Sequence, residues 1–167
     1  GLYEIHRELS ATVEKENLPL KLIPTLGSVA DEAFVSQIFN RYEVDTVFHA
    51  AAYKHVNLVE NNVIQGLKNN ALGTFYCAQA AVSCGVKKFI LVSTDKAVRT
   101  TSVMGASKRI AELALLALQG VNTATCFSVV RFGNVLGSSG SVIPLFKKQI
   151  KEGGPITVTD PNIIRYF

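Results

Sequence analysis

Charge is scarce in this sequence: Asp, Glu, Lys and Arg make up 18% of its 167 residues, against 48% hydrophobic. So apolar a chain packs rather than staying disordered, and its length suffices for one domain with one sizeable core. The net charge is only +4. Its basic residues are scattered, which argues against a nucleic-acid-binding stripe. Cysteine is equally sparse. Cys77, Cys84 and Cys126 are odd in number and lack a Cys-x-x-Cys spacing, so neither a disulfide framework nor a metal site is expected. They read as reduced, buried, small hydrophobes of a cytoplasmic protein. No apolar run approaches the roughly 20 residues needed to cross a membrane, and no secretory signal opens the chain. Internal repeats and low-complexity tracts are absent too. The chain begins Gly1-Leu2-Tyr3 rather than with Met, so we expect a piece of a longer protein.

What is present is a regular alternation of apolar runs and amphipathic stretches. Helices are predicted over 2–16, 31–42, 62–84, 102–118 and 142–152, the first with Leu2, Ile5, Leu9 and Val13 on one face. Strands are predicted over 20–25, 46–51, 88–93, 123–132 and 156–159, with 89–92 of the kind buried on both faces. Gly85 follows the third helix as a C-terminal cap. Such alternation implies a parallel sheet and an α/β, Rossmann-like, doubly wound domain. Ligands of such sheets sit at the carboxyl ends of the strands.

Four segments at those ends carry the polar chemistry. Ala50, Ala51 and Ala52, followed by Tyr53-Lys54-His55, would let a flat ring lie against the backbone, or would simply pack on the next helix. Thr94-Asp95-Lys96 sets a hydroxyl, a carboxyl and an amine in a row, as an acid–base pair or as a capped turn with a surface ion pair. Met104 and Lys108, four apart, share one helical face, where Lys108 is either functional or solvated. Three glycines and three serines lie within 130–141. That loop, feeding a helix at Val142, suits a phosphate better than it suits a flexible linker.

Together these segments resemble the polysaccharide-biosynthesis (CapD-type) family, nucleotide-sugar 4,6-dehydratases of the extended short-chain dehydrogenase type that act on UDP-N-acetylglucosamine. The resemblance spans about 2–167 and is strongest at 47–59, 88–98, 103–112, 130–144 and 156–167. It implies that Thr94 holds the C4 hydroxyl of the sugar, Asp95 protonates the departing C6 hydroxyl and Lys96 removes the C5 proton. Met104 occupies the position that holds a catalytic tyrosine in related enzymes, a substitution typical of the long, membrane-anchored branch. Lys108 would bind the nicotinamide ribose, with Ala50, Ala51, Ala52 and Asn70 along the cofactor, NAD or NADP. Lys54, Asn134, the loop holding Ser138, Ser139 and Ser141, and Arg165 would face the substrate. The resemblance further implies a homo-oligomeric parent.

The chain departs from the family pattern in lacking the Gly-rich pyrophosphate loop, its preceding strand and the acidic residue after the second strand. Ser28 stands where an aspartate usually lies beside the adenine. We therefore expect an incomplete NAD(P)-binding domain over 1–167 whose last 25 or so residues begin the substrate-binding part. In the usual strand order 3-2-1-4-5-6 the absent strands are central, so segment 20–25 should face 46–51 across a gap, or re-pair over it. The alternatives in function are a nucleotide-sugar 4-epimerase, which needs no C5 base, and a fragment inactive alone.

Overall fold

The computed structural model describes residues 1–121, 124–137, 141–158, 160–162 and 164. Its centre is a three-stranded parallel sheet in the order β1-β2-β3, with β1 at Thr46–His49, β2 at Lys88–Thr94 and β3 at Cys126–Phe132. The register aligns His49 with Leu91 and Ser93 with Arg131. The helices in chain order are α1 (Leu2–Lys15), α2 (Glu32–Arg41), α3 (Val56–Glu60), α4 (Val63–Leu67), α5 (Gly73–Ser83), α6 (Val103–Gly120) and α7 (Val142–Lys151). The crossovers through α5 and α6 make this the parallel β-α-β arrangement of a Rossmann-like domain.

The core forms where α5 and α6 meet one face of the sheet. Phe89 and Leu91 of β2 are fully buried there against Ala78 and Ala81 of α5 and Ala111 and Leu115 of α6. The small residues of α5 let its backbone come close, and Val35 of α2 closes the cluster from outside. Local chemistry fixes the helix starts. Asp31 accepts from the Phe34 amide at 3.0 Å and Ser102 from the Gly105 amide at 3.1 Å, each satisfying an otherwise orphaned donor. Gly85, at φ +72°, supplies the left-handed turn that ends α5 and leads into β2.

Several expectations are corrected. Residues 20–25 form no strand: Leu20, Ile23 and Leu26 are exposed, Leu26 at 84%. A lone strand has no ladder to complete, and among the described residues the sheet consists of β1, β2 and β3 without this segment. Segment 156–158 is likewise not a strand. It is tied instead to α7, where the Gln149 side chain accepts from the Thr157 amide and donates to its hydroxyl, at 3.1 and 2.8 Å. The sheet is covered on one face only among the described residues. Phe48 is 75% exposed, Val130 and Phe132 are also exposed, and Ile90 and Val92 of β2 are only half-buried, so β2 is not fully buried on both sides. The stripe of α1 buries nothing. Of the cysteines only Cys77 is buried, with its thiol pushed up to about 12 by burial; Cys84 is half-buried and Cys126 exposed.

The predicted long helix over 62–84 is broken by a π turn at Lys68–Leu72, and α3 precedes it. Such turns insert one extra residue and gather at functional sites. Here the turn carries Asn70 fully inward.

Candidate active site

At the carboxyl ends of the three strands lies a cleft of about 440 Å³. Ala50, Ala52 and Lys54 line it after β1, Thr94 and Lys96 after β2, Met104 and Lys108 from α6, and Asn134 after β3. Most of the residues singled out in the sequence thus converge on one place. Ala51 is half-buried next to its two neighbours in the chain. Ser138, Ser139 and Arg165 lie outside the described residues.

The β2 exit is organised by its own side chains. The Thr94 hydroxyl accepts from the Lys96 amide at 3.4 Å and donates to Asp95 Oδ1 at 3.0 Å. Lys96 Nζ donates to the same carboxylate oxygen at 3.2 Å. Partial burial would raise the Asp95 carboxyl, but the hydrogen bonds from Thr94 and Lys96 and the lysine charge hold it below its ordinary value. The strand passes directly into a 3₁₀ helix, Asp95–Ala97, that lies against α6. Gly105 makes that packing possible: a Cβ there would lie 2.5 Å from the Lys96 carbonyl oxygen.

Lys108 is buried, and its amine donates to the Val92 carbonyl at 2.8 Å. Burial lowers its proton affinity, and the Glu112 charge partly offsets this. Met104, buried one turn earlier, presents a thioether that cannot exchange a proton. Below the cleft, His49 is held neutral: burial first, and then the Lys108 charge, lower it to about 4. Its Nε2 lies 2.9 Å from Thr74 Oγ1, whose own hydrogen goes to the Asn70 carbonyl at 2.8 Å. The threonine oxygen therefore accepts, which assigns the proton of His49 to Nε2.

Asn70, expected along the cofactor, is fully buried and is not among the residues that line the cleft. Its side chain accepts from the Tyr53 amide at 2.7 Å and donates to the Tyr53 carbonyl at 3.0 Å and the Ser107 hydroxyl at 3.1 Å. It fixes the loop that follows the alanines. Ser141 caps α7 without a side-chain cap bond, and its hydroxyl oxygen is buried with no partner among the described residues. A hydroxyl so placed at a helix N-terminus has its O–H free to donate to an anionic ligand.

Sequence reasoning missed the Glu112 cluster. Glu112, its side chain 2% exposed, accepts from Ser93 at 2.7 Å, from Arg109 at 3.0 Å and from both Nε and Nη2 of Arg131, at 2.9 and 2.7 Å. Burial would raise this carboxyl, yet the hydrogen bonds of Arg131, Ser93 and Arg109 hold it at about 2. The available signal was its spacing, one turn beyond Lys108 on the same face.

The residues present fit one end of a dinucleotide. Small side chains at the β1 exit leave room for a flat ring, and a buried amine on α6 can reach a ribose. No pyrophosphate loop of the Gly-x-Gly-x-x-Gly type occurs in the chain. No helix among the described residues is long and apolar enough to cross a membrane.

Comparison with known proteins agrees with this geometry. The profile of the family described as polysaccharide biosynthesis protein matches residues 1–167. The capsular polysaccharide biosynthesis protein CapD of Staphylococcus aureus is 48% identical over the whole chain, which covers 27% of that protein. An inverting UDP-N-acetylglucosamine 4,6-dehydratase of Campylobacter jejuni is 39% identical over 85% of the chain and 43% of its own length. A UDP-glucose 4-epimerase of Rickettsia canadensis is 43% identical over 74% of the chain and 37% of its own length. Among solved structures, Pen from Bacillus thuringiensis superposes with a TM-score of 0.81 at 36% identity, over 93% of this chain and 48% of that one. The chain thus spans less than half the length of these proteins. With the family profile matched from end to end and a parallel sheet that carries the site where such a fold places it, the chain belongs to the polysaccharide biosynthesis protein family.

Proposed function

We propose that the longer protein carrying this chain is a nucleotide-sugar 4,6-dehydratase that acts on UDP-N-acetylglucosamine and uses NAD or NADP. The observation that carries the reading is that Thr94 and Lys96, which line the same cleft as Lys108, both hydrogen-bond the Asp95 carboxylate, at 3.0 and 3.2 Å, while Asp95 itself is not among the lining residues. A bound nicotinamide would supply the hydride acceptor, and later the donor, that such a conversion needs. The remaining steps fall to side chains. Thr94, already donating to Asp95, keeps a lone pair for the C4 hydroxyl and connects that hydroxyl to a carboxylate. This matters because Met104 can take no proton.

Once C4 is a ketone, the C5 proton is acidic, and a base and an acid must act on neighbouring carbons. The C4 proton relayed through Thr94 leaves Asp95 as the neutral acid needed at C6, and the neighbouring amine of Lys96, in its unprotonated form, takes the proton from C5. Lys108 orients the cofactor ribose and adds positive charge. Lys54 and Asn134, which line the cleft, are assigned to the substrate. Ser141 is the described part of the loop assigned to the diphosphate, with Ser138, Ser139 and Arg165 completing that assignment.

A second reading, a nucleotide-sugar 4-epimerase, is favoured by the epimerase relatives. An epimerase has no use for an acid–base pair at C5 and C6. Incubating the full-length protein with UDP-N-acetylglucosamine separates the two: a dehydratase yields a product lighter by one water, an epimerase one of unchanged mass. The parent is proposed to be a homo-oligomer, and the chain alone to be inactive.

A further inference from the structure

We infer that Glu112 is a positioning residue that sets the spacing between the two loops of the cleft. Ser93 and Arg131 are register partners on β2 and β3, each one residue before its strand ends. Thr94-Asp95-Lys96 follows the first directly, and Gly133-Asn134 follows Phe132 after the second. Glu112 takes hydrogen bonds from both, one from Ser93 and a two-pronged fork from Arg131. With the Arg109 bond, the carboxylate accepts four hydrogen bonds, its full capacity. One turn earlier on α6, Lys108 grips the Val92 carbonyl. Helix α6 is therefore bolted to consecutive residues of β2, and through Glu112 to β3. The acid–base cluster and the Asn134 rim cannot shift apart without breaking a buried, charge-assisted network.

The kinetic side of this inference rests on the dehydratase reading; the structural side does not. In Glu112→Gln the amide keeps one acceptor oxygen and turns an NH₂ toward the donors that the other oxygen served. In the full-length protein we expect amide hydrogen exchange to quicken at least about tenfold in both 92–98 and 130–134, with α2 unchanged. Turnover per cofactor-loaded site should fall about 10²-fold with little change in KM, as a displaced catalytic group predicts. Ser93→Ala, a milder change, should loosen 92–98 more than 130–134 and gives the same test if Glu112→Gln does not fold. Unchanged exchange in either segment of Glu112→Gln, or in both segments of Ser93→Ala, overturns the inference. So does a Glu112→Gln enzyme whose only loss is thermal stability at wild-type turnover. If the wild-type protein releases no water from the sugar, the functional reading fails while the exchange measurement still decides this one.

Discussion

Thr94 donates its hydroxyl proton to Asp95 Oδ1 at 3.0 Å, and that same oxygen receives Lys96 Nζ at 3.2 Å. Hydroxyl, acid and base form one cluster, so each loss should be felt in the chemistry rather than in binding. In the full-length protein Asp95→Asn and Lys96→Ala are each expected to lower turnover by about 10²–10⁴-fold while cofactor remains bound. Met104→Tyr should be tolerated far better. Near-normal dehydration by Lys96→Ala would remove it as the C5 base.

The Lys96 carbonyl rests on Gly105 at the start of α6. Placing a Cβ 2.5 Å from that oxygen forces backbone, not a flexible side chain, to move. Gly105→Ala is expected to destabilise the protein by about 1–3 kcal/mol, as overpacking does, and to depress turnover by displacing the acid–base cluster. Thermal unfolding and kcat, read on the same preparation, check both. A variant unchanged in each would mean the contact is looser than described.

His49 gives a pH dependence with a definite sign. It is lowered from the usual 6.5 to about 4 by burial and then by Lys108, so between those values the unfolded chain binds more protons than the folded one. Stability is therefore full above about pH 6.5 and is lost as pH falls toward 4. At about 1.4 kcal/mol per unit the loss is at most roughly 3.5 kcal/mol. Glu112, held near 2, adds a further loss below about pH 4.5. Thermal melts of the full-length protein across pH 4–7 should show the first decline, and His49→Gln should flatten it. An equal slope in the variant would contradict the assignment.

The parallel β-α-β pattern was legible because apolar runs of four to seven residues recur between longer amphipathic stretches, and the cleft was legible because its polar residues follow those runs. Ala50, Thr94, Lys96, Met104, Lys108 and Asn134 meet as the order of segments suggests. Residues 20–25 misled because strand propensity says nothing of whether a partner exists. Asn70 is a different case. Its place along the cofactor is what the family resemblance implies, while no local pattern shows the π turn or the bonds to Tyr53 that hold it. Glu112 was invisible as a hub, since its partners Ser93 and Arg131 lie far from it in sequence and meet only through strand register.

The exposed sheet face makes a prediction for the 167-residue polypeptide by itself. Phe48, Val130 and Phe132 stand uncovered among the described residues, and β1 and β3 are edges of the sheet. Such a surface invites self-association. Light scattering should show aggregates or marginal stability, relieved in part by Phe48→Lys. Calorimetry should detect no appreciable binding of NAD or NADP, and tight binding by a monomer would contradict this.

In the proposed reaction, hydrogen moves from C4 to C6 of one sugar while Asp95 and Lys96 remove water between them. UDP-N-acetylglucosamine carrying deuterium at C4, given to the full-length protein, tests it directly by nuclear magnetic resonance of the product. The expected product is a 4-keto sugar with that deuterium in its C6 methyl group and solvent-derived hydrogen at C5. A product that keeps its C6 hydroxyl and retains the deuterium at an inverted C4 would contradict it.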